Sequence, residues 1–319
     1  MNLPRGMTVA VCTRNRHEDL VRCITSIAKE SPDFPCEVLI VDDGEMPSSV
    51  RCTLRQLLDS CGIAFAYYRK RHPGLLLSRI AAAERAVHDV ILFLDDDAEL
   101  EEGYLARLAA WYGRFPDIAG IGGIDPSIRG NWKWDWFTRI FLYDSGKPGK
   151  LSASGYGGSM TKWASMKEPF PTEYLFGCNM SFRKSALLGL EPVAWLSGYS
   201  LGEDLYLSAW ALRSGRLWID PNLKVRHHQS HASRDKEEQV AYTEVVNHYY
   251  LLKLQQAGRW RRAAHLWTSL GLCGRAWIRK PWRHKAASYW KAIRFVLADD
   301  WRRLSRESVS DLGNGGPPG

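Results

Sequence analysis

Three consecutive acids, Asp95, Asp96 and Asp97, follow an apolar run at 90–94. Uncompensated carboxylates are too costly to bury together, so the pattern predicts the end of a buried strand. Side chains alternate along an extended chain, so we expect Asp95 and Asp97 to point the same way and Asp96 the other. Such a site suits Mg²⁺ or Mn²⁺ with phosphate oxygens as further ligands. The alternative is a solvated acidic turn before a helix over 101–115.

Two other predicted strands also end in polar residues. These are Thr13 and Arg14 after a strand at 7–12, and Asp42 and Asp43 after a strand at 37–41. In parallel strands these ends would meet the three acids at one edge of the sheet, where open α/β sheets bind ligands. Asp42 or Asp43 could accept hydrogen bonds from a base or ribose, and Arg79 could meet a phosphate. Each residue alone is equally typical of an ordinary turn or a solvated helix face.

Glu203 and Asp204 open an apolar helical pattern, and His227 follows another predicted strand. The helix dipole keeps a carboxylate ionised at this position, which is the state that a general base needs. Acids are also common there for the dipole reason alone. His227 could be a neutral ligand to the metal, or one member of a surface pair with His228.

Elements that could position these residues alternate along the first 124 residues. Strands at 7–12, 37–41, 63–68, 90–94 and 118–124 alternate with helical patterns, which predicts right-handed βαβ units and a mostly parallel sheet. The turn after the first strand is Thr-Arg-Asn-Arg and contains no Gly-x-Gly-x-x-Gly, and no Walker-type loop occurs. A hydride-transfer enzyme and a P-loop NTPase are therefore not expected.

The periodic pattern stops between 125 and 172, a region that contains four tryptophans, Trp132, Trp134, Trp136 and Trp163. A long irregular segment inside a domain is usually functional or disordered, and the tryptophans argue against disorder. Because aromatic faces suit the C–H surfaces of carbohydrates, one hypothesis is a mobile lid that binds a carbohydrate acceptor. The equally weighted alternative is a satellite core under the loop.

Composition gives further expectations for this chain of 319 residues, of which 45% are hydrophobic. The sequence has no apolar run long enough to span a membrane and no signal-peptide pattern at its start. Its seven cysteines include no Cys-x-x-Cys pair. Buried, reduced thiols in a cytoplasmic protein are the simplest interpretation.

The formal charge of +8 is concentrated near the C-terminus, where 253–306 contains 14 Lys or Arg and two acids. Helices are expected at 237–256, at 259–272 and from Trp282 to Leu304. The third is basic and amphipathic, with one apolar arc. That arc comprises Trp282, Ala286, Tyr289, Trp290, Ile293, Val296, Leu297, Trp301 and Leu304. This pattern is typical of an interfacial helix on an anionic membrane, although the arc could instead pack on the catalytic domain.

The ordered motifs resemble those of family 2 glycosyltransferases with the GT-A fold. The resemblance covers roughly 7–230 and includes Thr-x-Asn-Arg, Val-Asp-Asp-Gly, Asp-Asp-Asp, Gly-Cys-Asn-Met-x-Phe-Arg, Gly-Glu-Asp and His-His. It implies an α/β, Rossmann-like catalytic domain at 1–235, with a nucleotide-sugar half at 1–124 and an acceptor half at 125–235. A basic helical extension at 236–306 and a disordered tail at 307–319 would follow.

The resemblance also implies roles for individual residues. Asp97, Asp95 and His227 would hold Mn²⁺ or Mg²⁺, and Asp204 would be the catalytic base of an inverting transfer. Donor contacts would come from Thr13, Arg14, Asp42, Asp43, Arg79, Asp95 and Asp96. The acceptor side would include Glu203, Asn179 and Trp195.

The implied reaction moves a sugar from a UDP- or dTDP-type donor to a glycan hydroxyl. The acceptor is expected to be lipid-linked and to serve bacterial surface polysaccharide synthesis at the inner face of the cell membrane. No nucleic-acid partner is expected, because no nucleic-acid motif accompanies the basic segment. A sugar nucleotidyltransferase and a non-catalytic nucleotide-sugar-binding protein are the alternatives.

Two departures from the family pattern affect these expectations. Arg79 is followed by Ile80 where family members often have Asn, so that contact is missing. The Gly-Gly-Phe that usually precedes Gly-Glu-Asp is replaced by Trp-Leu-Ser-Gly-Tyr at 195–199. The acceptor is therefore hard to infer from the family.

Overall fold

The structure is a computed structural model that describes residues 6–196, 201–228 and 237–298. The helices are α1 (His17–Lys29), α2 (Ser48–Asp59), α3 (Leu75–Arg85), α4 (Tyr104–Arg114), α5 (Trp132–Ile140), α6 (Glu203–Ala211), α7 (Glu237–Leu254), α8 (Arg259–Ile278) and α9 (Arg283–Ala298). The strands are β1 (Met7–Thr13), β2 (Cys36–Asp42), β3 (Ala64–Arg69), β4 (Val90–Asp95), β5 (Ala98–Leu100), β6 (Ile118–Ile124), β7 (Phe170–Thr172), β8 (Asn179–Arg183) and β9 (Arg216–His227).

The first four strands form the parallel part of the sheet, in the order β3-β2-β1-β4. They are joined by α1, α2 and α3, as βαβ units require. Strands β1, β2 and β4 are almost entirely buried because helices cover both faces of the sheet. Thr13 therefore pairs with Asp42, and Cys12 with Asp95, at one edge. The predicted α/β architecture is confirmed.

Beyond β4 the sheet becomes mixed, which the alternating pattern did not predict. Strand β8 lies antiparallel between β4 and β6, and β9 runs parallel to β6. The short strand β5, directly after Asp97, pairs antiparallel with the end of β9, so that Ala98 faces His227. This pairing carries the histidine across the sheet to the three acids.

Part of the tryptophan-rich segment at 125–172 forms a satellite core, and part of it is exposed. It contains α5 and a short 3₁₀ helix at Gly158–Ser165. Trp163 is buried against Phe170 and Tyr174, as expected of a satellite core. Trp132 and Trp136 lie on the exposed face of α5. A lid that binds the acceptor stays a prediction.

The C-terminal extension is a bundle of α7, α8 and α9. Of the apolar arc predicted on the third helix, four residues are buried against this bundle, namely Ala286, Tyr289, Ile293 and Val296. These four positions are thus buried among the C-terminal helices, whereas the alternative expected the arc to pack on the catalytic domain; Trp290 and Leu297 are exposed. Trp301, Leu304 and the predicted tail at 307–319 lie outside the described residues.

The extension encloses a buried polar cluster, which we call the helical cluster. The Glu244 carboxylate accepts hydrogen bonds from the Tyr289 hydroxyl at 2.7 Å and the Tyr143 hydroxyl at 3.4 Å. His248 stacks on Tyr156 with ring centroids 3.9 Å apart. His265 lies on the same tyrosine and is fully buried.

Within the described residues, no helix is both long and apolar enough to cross a membrane. All seven cysteines are free thiols. Cys23, Cys36 and Cys178 are buried, as expected, whereas Cys52 is exposed.

Candidate active site at the sheet edge

Three predicted metal ligands meet where β4 and β9 end. Asp95, Asp97 and His227 each offer one ligand atom, and these atoms all lie within 4.8 Å of one another. His227 Nε2 lies 3.0 Å from an Asp97 carboxylate oxygen. Burial opposes protonation of this imidazole, but the hydrogen bond to Asp97 and the nearby acids outweigh it and raise the His227 pKa. The imidazole is therefore held in a strongly negative environment.

Arg16, which sequence reasoning left out of the site, pairs with two of the three acids. Its guanidinium lies 2.5 Å from Asp96 and 3.0 Å from Asp97. Burial raises the pKa of Asp96 to about 7, although Arg16 and Thr13 oppose the shift. Arg16 ends the Thr-x-Asn-Arg run, so the strand-end rule applied to the whole loop would have included it.

Asp125 is a second residue that sequence reasoning missed. It directly follows β6 and is 4% exposed. One carboxylate oxygen accepts the backbone N–H of Ser127 at 2.8 Å, while the other has no hydrogen-bond partner among the described residues. Its charge contributes to the raised pKa of His227. The signal was present, because Asp125 ends a predicted strand as Asp95 does.

Arg79 connects the acidic triplet to the Gly-Glu-Asp helix. Its buried guanidinium donates to Glu203 at 2.8 Å, to Asp95 at 3.1 Å and to the Gly177 carbonyl at 2.9 Å. These contacts explain why an arginine is tolerated 2% exposed in the domain interior. Its predicted phosphate contact stays a prediction.

Asp204 begins α6 next to Glu203. Its carboxylate accepts the Leu205 backbone N–H at 2.8 Å and a second backbone N–H from Gly177. Burial raises the pKa of Asp204, and the positive charge of Arg79 opposes this shift. Burial likewise raises the pKa of Glu203. Asp204 is thus a half-buried carboxyl within the electrostatic reach of Asp95.

The predicted nucleoside-side acids already have partners within the protein. Asp42 accepts the backbone N–H groups of Gly44 and Met46 and the hydroxyl of Tyr67, at 2.8–3.0 Å. Asp43 accepts the Gly74 N–H at 2.9 Å and lies 3.2 Å from Lys70 Nζ. These contacts fix the loop after β2.

The remaining predicted residues differ in accessibility. Thr13 is buried beside Asp96, whereas Arg14 is exposed. Asn179 is fully buried in β8, and Trp195 packs between Tyr206 and Tyr250. Their donor and acceptor roles stay predictions. Ser197, Gly198 and Tyr199, which complete the departure from Gly-Gly-Phe, lie outside the described residues.

The balance of charge at this edge fits a divalent cation. Among the described residues, six carboxyl groups interact here with only two guanidinium groups and one imidazole. The carboxyl groups are those of Asp95, Asp96, Asp97, Asp125, Glu203 and Asp204. The converging atoms of Asp95, Asp97 and His227 are oxygens and an imidazole nitrogen, which suit Mn²⁺ or Mg²⁺. We call the six carboxyl groups, together with Arg16, Arg79 and His227, the strand-edge cluster.

Solved structures share the fold. A mannosyltransferase from Pyrobaculum calidifontis, solved with GDP-Man and Mn²⁺, superposes with a TM-score of 0.56 over 94% of this chain and 89% of that one, at 17% identity. GalNAc-T7, solved with UDP, GalNAc and Mn²⁺, gives 0.54 over 77% of this chain and 49% of that one, also at 17% identity. The GT-A fold is thereby confirmed.

Sequence relatives point the same way. A glucosyl-dolichyl phosphate glucuronosyltransferase from Haloferax volcanii is 24% identical over 57% of this chain and 54% of its own length. The polypeptide N-acetylgalactosaminyltransferase 3 of Drosophila melanogaster is 31% identical over 33% of this chain and 16% of its own. The chain thus spans about half or less of these curated relatives.

The model of the family named glycosyl transferase family 2 matches residues 8–187. This span contains β1 to β4, the three acids and β8. Because the match covers more than half of the chain, the protein belongs to glycosyl transferase family 2.

Proposed function

We propose that the protein is a metal-dependent, inverting glycosyltransferase that moves a sugar from a nucleoside-diphosphate donor to a hydroxyl group of a glycan acceptor. The observation that carries the proposal is the convergence of Asp95, Asp97 and His227 within 4.8 Å at the sheet edge. Family membership supports the reaction class.

The site offers separate groups for the two halves of the reaction. A divalent cation held by Asp95, Asp97 and His227 would neutralise charge on the departing diphosphate. Asp204 would accept the proton of the acceptor hydroxyl, a contribution typically worth about 10²–10⁴-fold. Direct attack from the face opposite the leaving group would invert the anomeric centre.

Arg79 takes a supporting role in this proposal. Its side chain is buried and paired with Glu203 at 2.8 Å and Asp95 at 3.1 Å. It would hold the base-bearing helix against the metal-binding strand and stabilise the ionised form of Asp204, whose pKa its charge lowers.

The substrates are the finer part of the proposal. Relatives and structural neighbours support a UDP- or GDP-linked donor, and the expected dTDP donor is retained for testing. The match to a glucosyl-dolichyl phosphate glucuronosyltransferase supports a lipid-linked glycan acceptor. Bacterial surface polysaccharide synthesis at the inner face of the cell membrane completes the proposal.

The test is nucleoside diphosphate release from UDP-, dTDP- and GDP-sugars, measured with and without Mn²⁺. Asp204→Asn removes the proposed base but keeps its shape, so transfer is expected to fall by about 10²–10⁴-fold. Asp59→Asn, at the exposed end of α2, is the matched control and should leave the rate unchanged.

Other outcomes separate the alternatives. Pyrophosphate release would indicate a nucleotidyltransferase. Metal-dependent donor binding without cleavage, in the presence of glycan acceptors, would indicate a binding protein. A near-wild-type transfer rate in Asp204→Asn would overturn the base assignment, and retention of the anomeric configuration in the product would overturn the inverting mechanism.

A further inference from the structure

Helix α8 carries its polar and apolar residues on unexpected faces. Its buried side includes His265, Thr268 and Ser269. The two hydroxyl groups donate to main-chain carbonyls, Thr268 to Phe141 at 2.5 Å and Ser269 to His265 at 2.8 Å. The opposite side is apolar and exposed, with Trp277 at 67% and Ile278 at 79%. An exposed apolar stripe along a surface helix indicates a partner surface.

Helix α5 presents a second exposed apolar stripe. Trp132, Trp136 and Ile140 recur every fourth residue and lie on one face, with Trp132 75% exposed. The opposite face of α5 packs inward through Trp134 and Phe137, which contact the guanidinium of Arg275 on α8. The exposed tryptophans are therefore not needed to hold α5 in place.

The two stripes meet at a joint between the helices. Trp267 on α8 donates its indole N–H to the Ile140 carbonyl at 2.8 Å and stacks on Phe141 with ring centroids 5.2 Å apart. Trp267 and Ile140 are both partly exposed beside each other. We call the combined surface the aromatic face; it comprises Trp132, Trp136, Ile140, Trp260, Trp267, Leu270, Trp277 and Ile278.

The chain around the aromatic face is strongly basic. From Arg259 to Lys285 it contains eight Lys or Arg and no acid. Arg259 and Arg262 are exposed at the start of α8, and Lys133 and Arg139 are exposed on α5. The only acid on α5 is Asp135. A partner for this surface should therefore be apolar where it meets the tryptophans and anionic at its rim.

We propose that the aromatic face lies in the interface of an anionic lipid bilayer. Tryptophan rings favour the boundary between headgroups and acyl chains, and flanking Lys and Arg are attracted to anionic headgroups. A second copy of the chain fits less well, because face-to-face pairing would bring like charges together.

This inference places membrane contact on α5 and α8, whereas the sequence pointed to the arc on α9. Four positions of that arc are buried within the bundle. Trp290 on α9 is 52% exposed and stands apart from the aromatic face in sequence. It therefore provides a matched tryptophan control. The inference does not depend on the proposed glycosyl transfer, since binding is measured without a donor.

The experiment is co-sedimentation of the full chain with vesicles of phosphatidylcholine alone or mixed with phosphatidylglycerol. The wild type should bind the anionic vesicles, and raising the salt concentration should weaken binding. The Trp136→Ala/Trp277→Ala double variant should bind at least about tenfold more weakly, because binding scales with buried apolar area. Trp290→Ala should bind like the wild type.

Several outcomes would overturn the proposal. Unchanged binding of the double variant would exclude the aromatic face, and a loss confined to Trp290→Ala would return the contact to α9. A dimer that the double variant dissolves, without vesicle binding by the wild type, would assign the face to a second copy.

A measurement on the wild type keeps the test decisive if the double variant is unstable. Amide hydrogen exchange within 132–140 and 259–278 should slow when anionic vesicles are added, while α2 should be unaffected. Equal exchange with and without vesicles would overturn the proposal. A metal-dependent thermal shift with nucleotide that the double variant retains would show that a loss of vesicle binding leaves the proposed catalytic function intact.

Discussion

The strand-edge cluster and the helical cluster both bury ionisable side chains, but they balance them differently. At the sheet edge, six carboxyl groups share Arg16, Arg79 and His227. In the helical cluster, the Glu244 carboxylate accepts hydrogen bonds from two tyrosine hydroxyls, and the neighbouring histidines stack on aromatic rings. The first cluster groups several carboxyl groups around fewer cationic groups, whereas the second contains one carboxyl group whose oxygens accept hydrogen bonds from neutral hydroxyls.

The difference teaches that burial of titratable groups does not by itself mark a functional site. Burial raises the pKa of Glu244 as it raises the pKa of Asp96. Within the part of the chain that the structure describes, however, such ligand atoms converge within 4.8 Å only at the sheet edge. Convergent ligand atoms with an excess of one charge distinguish a binding site from a satisfied structural network.

The largest expected effect comes from breaking the charge balance at the sheet edge. Arg79→Met leaves the buried Glu203 and the half-buried Asp95 without their guanidinium partner, so the free energy of unfolding should fall by about 3–5 kcal/mol. Arg107→Met is the control, because Arg107 is half-exposed and 3.8 Å from Asp220. It should cost less than about 1 kcal/mol in urea denaturation. Equal losses in both variants would contradict the buried ion-pair account.

Metal binding should also distinguish the strand-edge cluster from the helical cluster. At 100 times its dissociation constant, Mn²⁺ should stabilise the wild type by about 2.7 kcal/mol, measured as a shift in thermal unfolding. Asp97→Asn should abolish this shift. Glu244→Gln, which removes the carboxylate of the helical cluster, should preserve it. A shift lost in Glu244→Gln and kept in Asp97→Asn would reverse the assignment.

The helical cluster should respond to acid through its histidines. Burial lowers the pKa of His248 to about 4 and that of His265 to about 3. The unfolded chain takes up these protons near pH 6.5, whereas the folded chain does not. Acidification from pH 7 to pH 5 should therefore lower the free energy of unfolding by about 2 kcal/mol for each of these histidines. The carboxyl groups with raised pKa act in the opposite direction, so the measurement must be differential.

The measurement compares the free energies of unfolding of the wild type and His248→Asn at both pH values. On acidification, the free energy of unfolding of the wild type should fall by about 2 kcal/mol more than that of His248→Asn. His72→Asn, at an exposed position before α3, should show no such change. A pH-independent difference for His248→Asn would mean that this imidazole takes up its proton over the same pH range in the folded and the unfolded protein.

The smallest effect is expected from the tyrosine hydroxyls. Tyr289→Phe removes the 2.7 Å hydrogen bond to Glu244 and should cost about 1–2 kcal/mol of stability. Tyr143→Phe removes a bond of 3.4 Å and should cost less. Chemical denaturation ranks the two. A larger loss in Tyr143→Phe would show that the hydrogen-bond lengths do not govern the helical cluster.

Much of the fold was predictable because its first half uses local patterns. Buried apolar runs ending in polar residues predicted β1, β2, β4 and β6 within a few residues of their observed bounds. Strand β5 was missed because three residues carry no periodicity and their pairing partner lies far along the chain. The antiparallel insertion of β8 was missed for a related reason, since strand direction depends on long-range pairing.

The candidate site was predictable where its residues follow strand ends. The expected metal ligands Asp95, Asp97 and His227 do converge. Arg16 and Asp125 also follow predicted strands. They were missed because only some of the residues after those strands were considered as site residues. The inverted polarity of α8 was not accessible from sequence, since apolar residues on a helix do not reveal which neighbour covers them.

Gly271 gives the joint between α5 and α8 a sharp steric requirement. A Cβ at this position would lie 2.3 Å from the Phe141 ring, so any larger residue would push α5 away from α8. Two linked anchors gain from a high effective concentration, which is lost when geometry prevents both from engaging. If the aromatic face binds lipid, the exposed stripes of α5 and α8 are the two anchors. The lack of a side chain at Gly271 keeps them close enough to bind the same membrane together. A mutation that touches no tryptophan could then detach the protein.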